Sequence, residues 1–174
     1  MAAGHPLHAR ETAAGARYAF PHTAVSGKRS PPMDVTSVMT PNPASCRPDT
    51  TLREVARMML DNDCGEIPVV DEAMRPVGVV TDRDIVVRIV AVGRDPQTVR
   101  ASESMSSPAT TVSTDAKLSD VIDVMESRQI RRVPVVDLDG RLCGMVAQAD
   151  IALTGKDRKT GDVVEGISRP GNRH

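Results

Sequence analysis

Aromatic side chains are almost missing from this chain. Its 174 residues include one Tyr, one Phe and no Trp, and both aromatics, Tyr18 and Phe20, fall near the N-terminus. The apolar share of 40% therefore rests on Val, Ile, Leu, Met and Ala. Such a core is aliphatic, and it offers no aromatic platforms on which single-stranded nucleic acid could stack. An excess of one charge is missing too: 22 Lys and Arg face 23 Asp and Glu, for a net charge of −1. That balance argues against coating nucleic acid or lying on an acidic membrane surface. No apolar run approaches the ~18 residues of a membrane span.

Cysteine and histidine are equally uninformative as sites. The three cysteines, Cys46, Cys64 and Cys143, are odd in number and irregular in spacing, so they do not make a disulfide framework. Their apolar neighbours suggest buried thiols, with a redox-active Cys46–Cys64 pair as the alternative. The four histidines, His5, His8, His22 and His174, all lie in the terminal segments. A Cys/His zinc site or a histidine base inside the fold is not expected.

What the chain does have is a repeat. Residues 39–85 recur at 105–151 with a constant offset of 66 and no gap, and 14 of 47 positions are identical. Met39 falls on Met105, Asp49 on Asp115, Leu52 on Leu118, Val55 on Val121 and Met59 on Met125. The strongest block sets Ile67-Pro68-Val69-Val70-Asp71 over Val133-Pro134-Val135-Val136-Asp137, with Gly78 then falling on Gly144 and Asp84-Ile85 on Asp150-Ile151. One structural unit built twice implies that a single copy cannot bury its apolar face alone. It also implies a cleft between the copies with two related half-sites.

The expected organisation follows. Residues 1–32, rich in Ala, Gly, Pro, His and Arg, read as a disordered arm without the roughly 7–15-residue apolar stretch of a secretory signal. The fold is expected to begin at Met33, after Pro31-Pro32, and Met33 is a candidate translational start. Residues 33–96 form the first repeat, 97–104 a linker and 105–154 the second repeat. Residues 155–174 form a C-terminal helix and tail, the helix running over Lys156–Ser168 through Val163, Val164 and Ile167.

Each repeat shows the same order of signals. A short extended segment (Ala44–Cys46; Thr110–Val112) precedes a helix whose apolar stripe is Leu52, Val55, Ala56 and Met59, or Leu118, Val121, Ile122 and Met125. Thr51 with Glu54 reads as a capping box, and Asp115 as the cap in the second copy. Two β-branched runs joined by a polar turn follow, Ile67–Val70 with Val77–Val80 and Val133–Val136 with Leu142–Val146. The turns are Asp71–Arg75 and Asp137–Arg141, short enough to make the two strands antiparallel neighbours. A second helix closes each copy, from Asp82 to about Val92 and from Gln148 to about Leu153. The fold class is α/β, as tandem β-α-β-β-α repeats.

The Met39-Thr40-Pro41 opening, the Ile-Pro-Val-Val-Asp strand, the Gly78–Asp84 segment and the element order resemble the cystathionine β-synthase (CBS) domain family. Two copies look like one CBS pair, or Bateman module, packed with pseudo-two-fold symmetry. The resemblance covers roughly 34–153. It implies an adenine nucleotide (AMP, ADP, ATP) or S-adenosylmethionine bound between the repeats, regulation of a separate partner protein, and a disc-like homodimer. Cytoplasmic location and the absence of membrane or nucleic-acid partners are expected with it. No cofactor is required, and magnesium would enter only with ATP.

By the same resemblance, Thr81 and Asp84 fall on the family's nucleotide-binding Gly-x-x-Thr-x-x-Asp element. A carboxylate can accept both ribose hydroxyls, and a hydroxyl with helix-start amides can hold phosphate. Arg83 would add positive charge. Thr81 with Asp84 is also an ordinary capping box, and the two roles can coexist. The second copy keeps Asp150 but replaces the hydroxyl with Ala147. Arg131 and Arg132 occupy phosphate-binding positions of related modules, where a guanidinium fork suits the task; a solvated Arg pair is the alternative. Gly65 and Glu66 match them in the first copy, and Glu66 would repel phosphate. The backbone around Ala44 and Thr110, with Cys64-Gly65 and Ile130 alongside, would edge the adenine, or serve only in packing. At most one strong nucleotide site is expected. The competing function is a dimeric interaction or scaffold protein with degenerate sites and no ligand. An enzyme is not expected, because the helix-start carboxylates Asp82, Asp84 and Asp150 are explained by the helix macrodipole.

Overall fold

A computed structural model describes residues 34–153. The arm over 1–32, Met33 and the helix expected over Lys156–Ser168 lie outside the described residues.

The repeat folds twice in the same way. Helix α1 (Leu52–Asp61) starts at the expected capping box: Thr51 Oγ1 accepts from the Glu54 N–H at 3.3 Å, and Glu54 Oε2 accepts from the Thr51 N–H at 2.9 Å. The Thr51 hydroxyl, which donates to Glu54 Oε2 at 2.8 Å, and then the Thr51 N–H hold the Glu54 carboxyl below its ordinary range. Leu52, Val55 and Met59 are buried beneath it. Helix α4 (Leu118–Arg128) buries Val121 and Met125 in the second half. Its cap is not Asp115. Lys117 occupies the cap position, and Asp120 reaches back to the Lys117 N–H at 3.3 Å. Packing of Leu118 and Val121 fixes where this helix begins and leaves Asp115 in the preceding turn. A left-handed residue follows each helix at the equivalent position, Asp63 (φ 47°) and Gln129 (φ 53°).

The expected hairpins form, β2 (Glu66–Val70) with β3 (Pro76–Thr81) and β5 (Arg132–Val136) with β6 (Leu142–Ala147), all antiparallel. Asp71 Oδ1 accepts from the Ala73 and Arg75 N–H groups, and Asp137 Oδ1 from those of Asp139 and Arg141. A side-chain acceptor two residues back is what makes Asp favourable at such turns. Each hairpin leads directly into a helix, α2 (Asp82–Ile85) or α5 (Gln148–Leu153). Helix α2 passes into a π-helical stretch, Val86–Val90, where the Ala91 N–H donates to Val86 O five residues back at 2.9 Å. The wider turn buries Ile85 and Ile89 while Val86, Val87 and Val90 remain 57%, 50% and 57% exposed.

The halves are laced together by exchanged segments. Strand β1 (Thr40–Pro41) pairs with β6 of the second half, Thr40 opposite Met145 and Pro41 opposite Gly144, and Val35 is buried in the second core. Reciprocally, Ser106 exchanges two backbone hydrogen bonds with Val79 at 3.0 and 2.8 Å. Residues 97–104, expected as a linker, carry helix α3 (Ala101–Ser104) and give Val99 and Ala101 to the first core. Gly78 and Gly144 permit this crossing. A Cβ on Gly78 would stand 2.6 Å from Met105 Sδ and 3.0 Å from Ser106 O, and one on Gly144 would overlap Met39 Sδ.

The second sheet runs β1-β6-β5-β4, with β4 (Val112–Ser113) parallel to β5. The first repeats this order with single bridges at its edges, Ser106 beside β3 and Cys46 parallel to Val69 of β2. Each sheet and its helices enclose one aliphatic core. Cys46 is buried, Cys64 and Cys143 are half-buried, and all three are free thiols. Burial pushes the Cys46 thiol up to about 11, which opposes thiolate chemistry there.

Candidate functional site

The two strand-to-helix junctions are built alike. The Asp82 N–H donates to Gly65 O at 3.1 Å, and the Gln148 N–H, 66 residues on, donates to Arg131 O at 2.8 Å. Each bond clamps the start of the closing helix to the residue just before the first hairpin strand. Both junctions line one groove of about 820 Å³. Glu66, Thr81 and Arg83 come from the first half, and Arg131, Arg132 and Ala147 from the second. The shared cleft implied by the doubled sequence is therefore present.

Of the residues singled out in the sequence, Thr81, Arg83, Arg131 and Arg132 line this groove, as do Gly65 and Ile130. Asp84, Asp150, Ala44 and Thr110 are not part of its lining. The two aspartates have local partners. Asp84 is 9% exposed, and its Oδ2 accepts from the Thr81 N–H at 2.9 Å and the Thr81 hydroxyl at 2.7 Å. Asp84 Oδ1 lies 3.3 Å from Arg88 Nη2, and Arg88 Nη1 donates to Ser104 O at 2.6 Å. Asp150 Oδ2 accepts from the Ala147 N–H at 2.8 Å. Capping thus accounts for the spacing of Thr81 and Asp84, and the same carboxylate ties the exchanged segment to the first half. Ala44 packs against the first core, and Thr110 is half-buried just ahead of β4.

Charge is divided across the groove. Arg83, Arg131 and Arg132 supply guanidinium groups, while Glu66 and Asp82 supply carboxylates. Asp82 Oδ1 is taken by the Arg83 N–H at 2.6 Å. A Cβ on Gly65 would stand 3.0 Å from Asp82 Oδ2 and 3.5 Å from Arg132 Nη1, so Arg132 reaches from the second half to the first across a space that glycine leaves open. Glu66 Oε1 is shielded from solvent and has no hydrogen-bond donor among the described residues. Desolvation pushes its carboxyl up to about 7, against the Arg132 guanidinium, which lowers it, and with Asp84, which adds to the rise. Gln129 and Gln148 also line the groove; no motif singles them out, and the 66-residue offset that pairs Gln148 with Asp82 was the available signal. A second surface depression, of about 570 Å³, lies on the outer side of α1. It belongs to one half alone, and its Thr51 and Glu54 are engaged in the cap.

A tandem α/β pair with one groove shared by its halves is the architecture of a two-domain module. The family model described as "CBS domain" matches residues 35–91 and 98–154, and the chain belongs to that family. CBS domain-containing protein YhcV of Bacillus subtilis is 40% identical over 119 residues, 68% of this chain and 83% of that one. The match to the uncharacterized protein MK0525 of Methanopyrus kandleri is 36% identical over 60% of this chain but spans only 53% of that protein. Among solved structures, Hypoxic Response Protein I, described with two coordinated zinc ions, superposes with a TM-score of 0.64 at 35% identity, covering 70% of this chain and 98% of that one. The CBS domain pair of protein MJ0100, in complex with 5′-methylthioadenosine and S-adenosyl-L-methionine, gives a TM-score of 0.64 at 25% identity over the same shares. Among the described residues of this chain, no three His, Cys, Asp or Glu side chains gather in a metal-binding arrangement, and no helix is long and apolar enough to cross a membrane.

Proposed function

We propose that this chain is a non-catalytic regulatory module of the cytoplasm that takes an adenosyl ligand in the groove between its halves and passes its state to a separate partner protein. One observation carries the reading: a groove of about 820 Å³ is walled by both halves and holds three guanidinium groups. That volume falls within the roughly 300–1,000 Å³ of small-molecule sites. A ligand touching both walls favours one arrangement of the halves over others, which is all that population shift requires. The MJ0100 pair, in complex with 5′-methylthioadenosine and S-adenosyl-L-methionine, supports the ligand class; those two with AMP, ADP and ATP, with or without magnesium, form the panel to test. The module acts as a homodimer, with Val86, Val87 and Val90 as the exposed apolar face.

Calorimetry on the full chain with that panel, paired with thermal melts, is the test. One tight site per chain is expected, because the halves differ at Thr81/Ala147 and at Glu66/Arg132. A ligand at about 100 times its Kd should add about 2.7 kcal/mol of stability. Two equal tight sites would contradict the reading. If no ligand bound or raised the melting temperature, an interaction scaffold with degenerate sites would replace it.

A further inference from the structure

Glu66 and Arg132 hold the same place in the two halves. Each opens the first strand of its hairpin, Glu66 opposite Thr81 and Arg132 opposite Ala147, and both line the shared groove. The doubled fold thus brings opposite charges to one cavity from equivalent positions. The other carboxylates nearby have partners: Asp82 Oδ1 accepts from the Arg83 N–H, and Asp84 accepts from Thr81 and pairs with Arg88. Glu66 differs, because its Oε1 accepts from no donor among the described residues. Glu66 thus brings to the groove lining a carboxylate with one oxygen that no donor among the described residues answers, and a ligand cation in the groove is the counterpart its charge calls for.

We propose that Glu66 is the specificity-determining residue of the groove, selecting adenosyl ligands that carry a cationic group beyond the ribose over those that carry a polyphosphate there. The inference rests on the reading that the groove takes an adenosyl ligand, and it names which kind. A zwitterion fits both walls: its cation meets Glu66, while its carboxylate meets the guanidinium groups of Arg131 and Arg132, whose fork matches that geometry. A triphosphate satisfies the arginines but sets its negative charge against Glu66, and it carries no cation to answer that carboxylate. The charged and titratable groups facing Glu66 are Arg132 and Arg131 from the second half and Asp82, Arg83 and Asp84 from its own. Near neutral pH Glu66 is poised between its two forms, and a cationic ligand holds it ionised.

The experiment is calorimetry on the full chain with S-adenosylmethionine, 5′-methylthioadenosine and ATP, comparing wild type with Glu66→Gln and Glu66→Arg. Methylthioadenosine is uncharged beyond its ribose, so its affinity reports that each variant still folds and keeps its groove. Wild type should bind S-adenosylmethionine at least about tenfold more tightly than ATP, because one charge-assisted hydrogen bond is worth about that ratio. Glu66→Gln should lose about that factor for S-adenosylmethionine while holding methylthioadenosine within about threefold, and Glu66→Arg should place ATP first. A wild-type preference for ATP, or variants that bind every ligand as wild type does, would overturn the assignment while leaving the adenosyl site standing. Failure of all three ligands to bind wild type would overturn the site and this assignment together.

Discussion

Replacing Glu66 with Gln should stabilise the chain above neutral pH and leave it nearly unchanged in acid. The folded state raises the Glu66 carboxyl from 4.5 to about 7, so between those values the folded chain holds a proton that the unfolded chain has released. Stability therefore falls as pH rises through that window, because the native state binds more protons there. Below about 4.5 both states are protonated and nothing is lost. Above about 7 the full penalty applies, at most about 3 kcal/mol for a rise of this size. Glutamine mimics the protonated acid and escapes the penalty, but its amide must find an acceptor, and Arg132 loses a countercharge. A net gain of about 1–2 kcal/mol at pH 8 is expected. Urea denaturation of both proteins in steps from pH 4.5 to 8 would read it as a gap in unfolding free energy that opens up to about pH 7 and then stays constant. A gap independent of pH, or a variant weaker than wild type at pH 8, would refute the placement of Glu66 as a desolvated acid.

Other consequences can be measured. Ligand affinity should depend on pH with opposite signs: a cationic adenosyl ligand binds more tightly as pH rises through about 7, a nucleoside phosphate more tightly as it falls, and Glu66→Gln flattens both profiles in calorimetry. Gly78→Ala should cost about 1–3 kcal/mol in chemical denaturation, as overpacking does, because the new methyl meets Met105 Sδ and the immovable Ser106 carbonyl. Val90→Glu places a charge on the exposed apolar face without touching either core; light scattering should show a monomer with a wild-type-like melting temperature, and an unchanged dimer would move the interface elsewhere.

Much of the fold was legible because its signals are local and doubled. The stripes Leu52-Val55-Met59 and Leu118-Val121-Met125 fixed two helices, and the Asp71 and Asp137 turns fixed two hairpins. The exchange was not legible. Met39-Thr40-Pro41 abuts the first repeat in sequence but completes the second sheet, and no local propensity says which half a flanking segment will join. The 66-residue offset held a hint, since Met39 and Met105 recur with Gly78 and Gly144, the large residues and the gaps that receive them. The π-helical stretch was hidden for another reason: the run from Ile85 to Val92 is apolar at every position but Arg88, so its period cannot reveal a widened turn. At the groove, charge marked Arg83, and charge together with the family resemblance marked Arg131 and Arg132. The local commitment of Asp84 and Asp150 to backbone caps, and the seclusion of Glu66 Oε1, depend on neighbours that only folding supplies.

The exchanged segments also explain how occupation of the groove could be felt outside it. Val99, Ala101 and Met105 belong to the first core although they lead into the second repeat, and Val35, Val38 and Met39 belong to the second core although they lead into the first. Neither half can turn relative to the other without shifting residues packed inside its neighbour. Close-packed interiors resist small, continuous adjustments, so relative motion should occur between a few discrete arrangements. The Asp84–Arg88 pair sits at this hinge, with Arg88 bonded to Ser104 of the crossing segment, and Asp84 caps the junction whose Thr81 lines the groove. A ligand drawn against Thr81 and Arg83 therefore acts on the same junction that anchors the crossing segment. The expected readout is a ligand-dependent change in backbone hydrogen exchange at Val79 and Ser106, whose paired amides close the exchanged edge. Protection at the groove alone, with these two amides unaffected, would separate binding from any transmission between the halves.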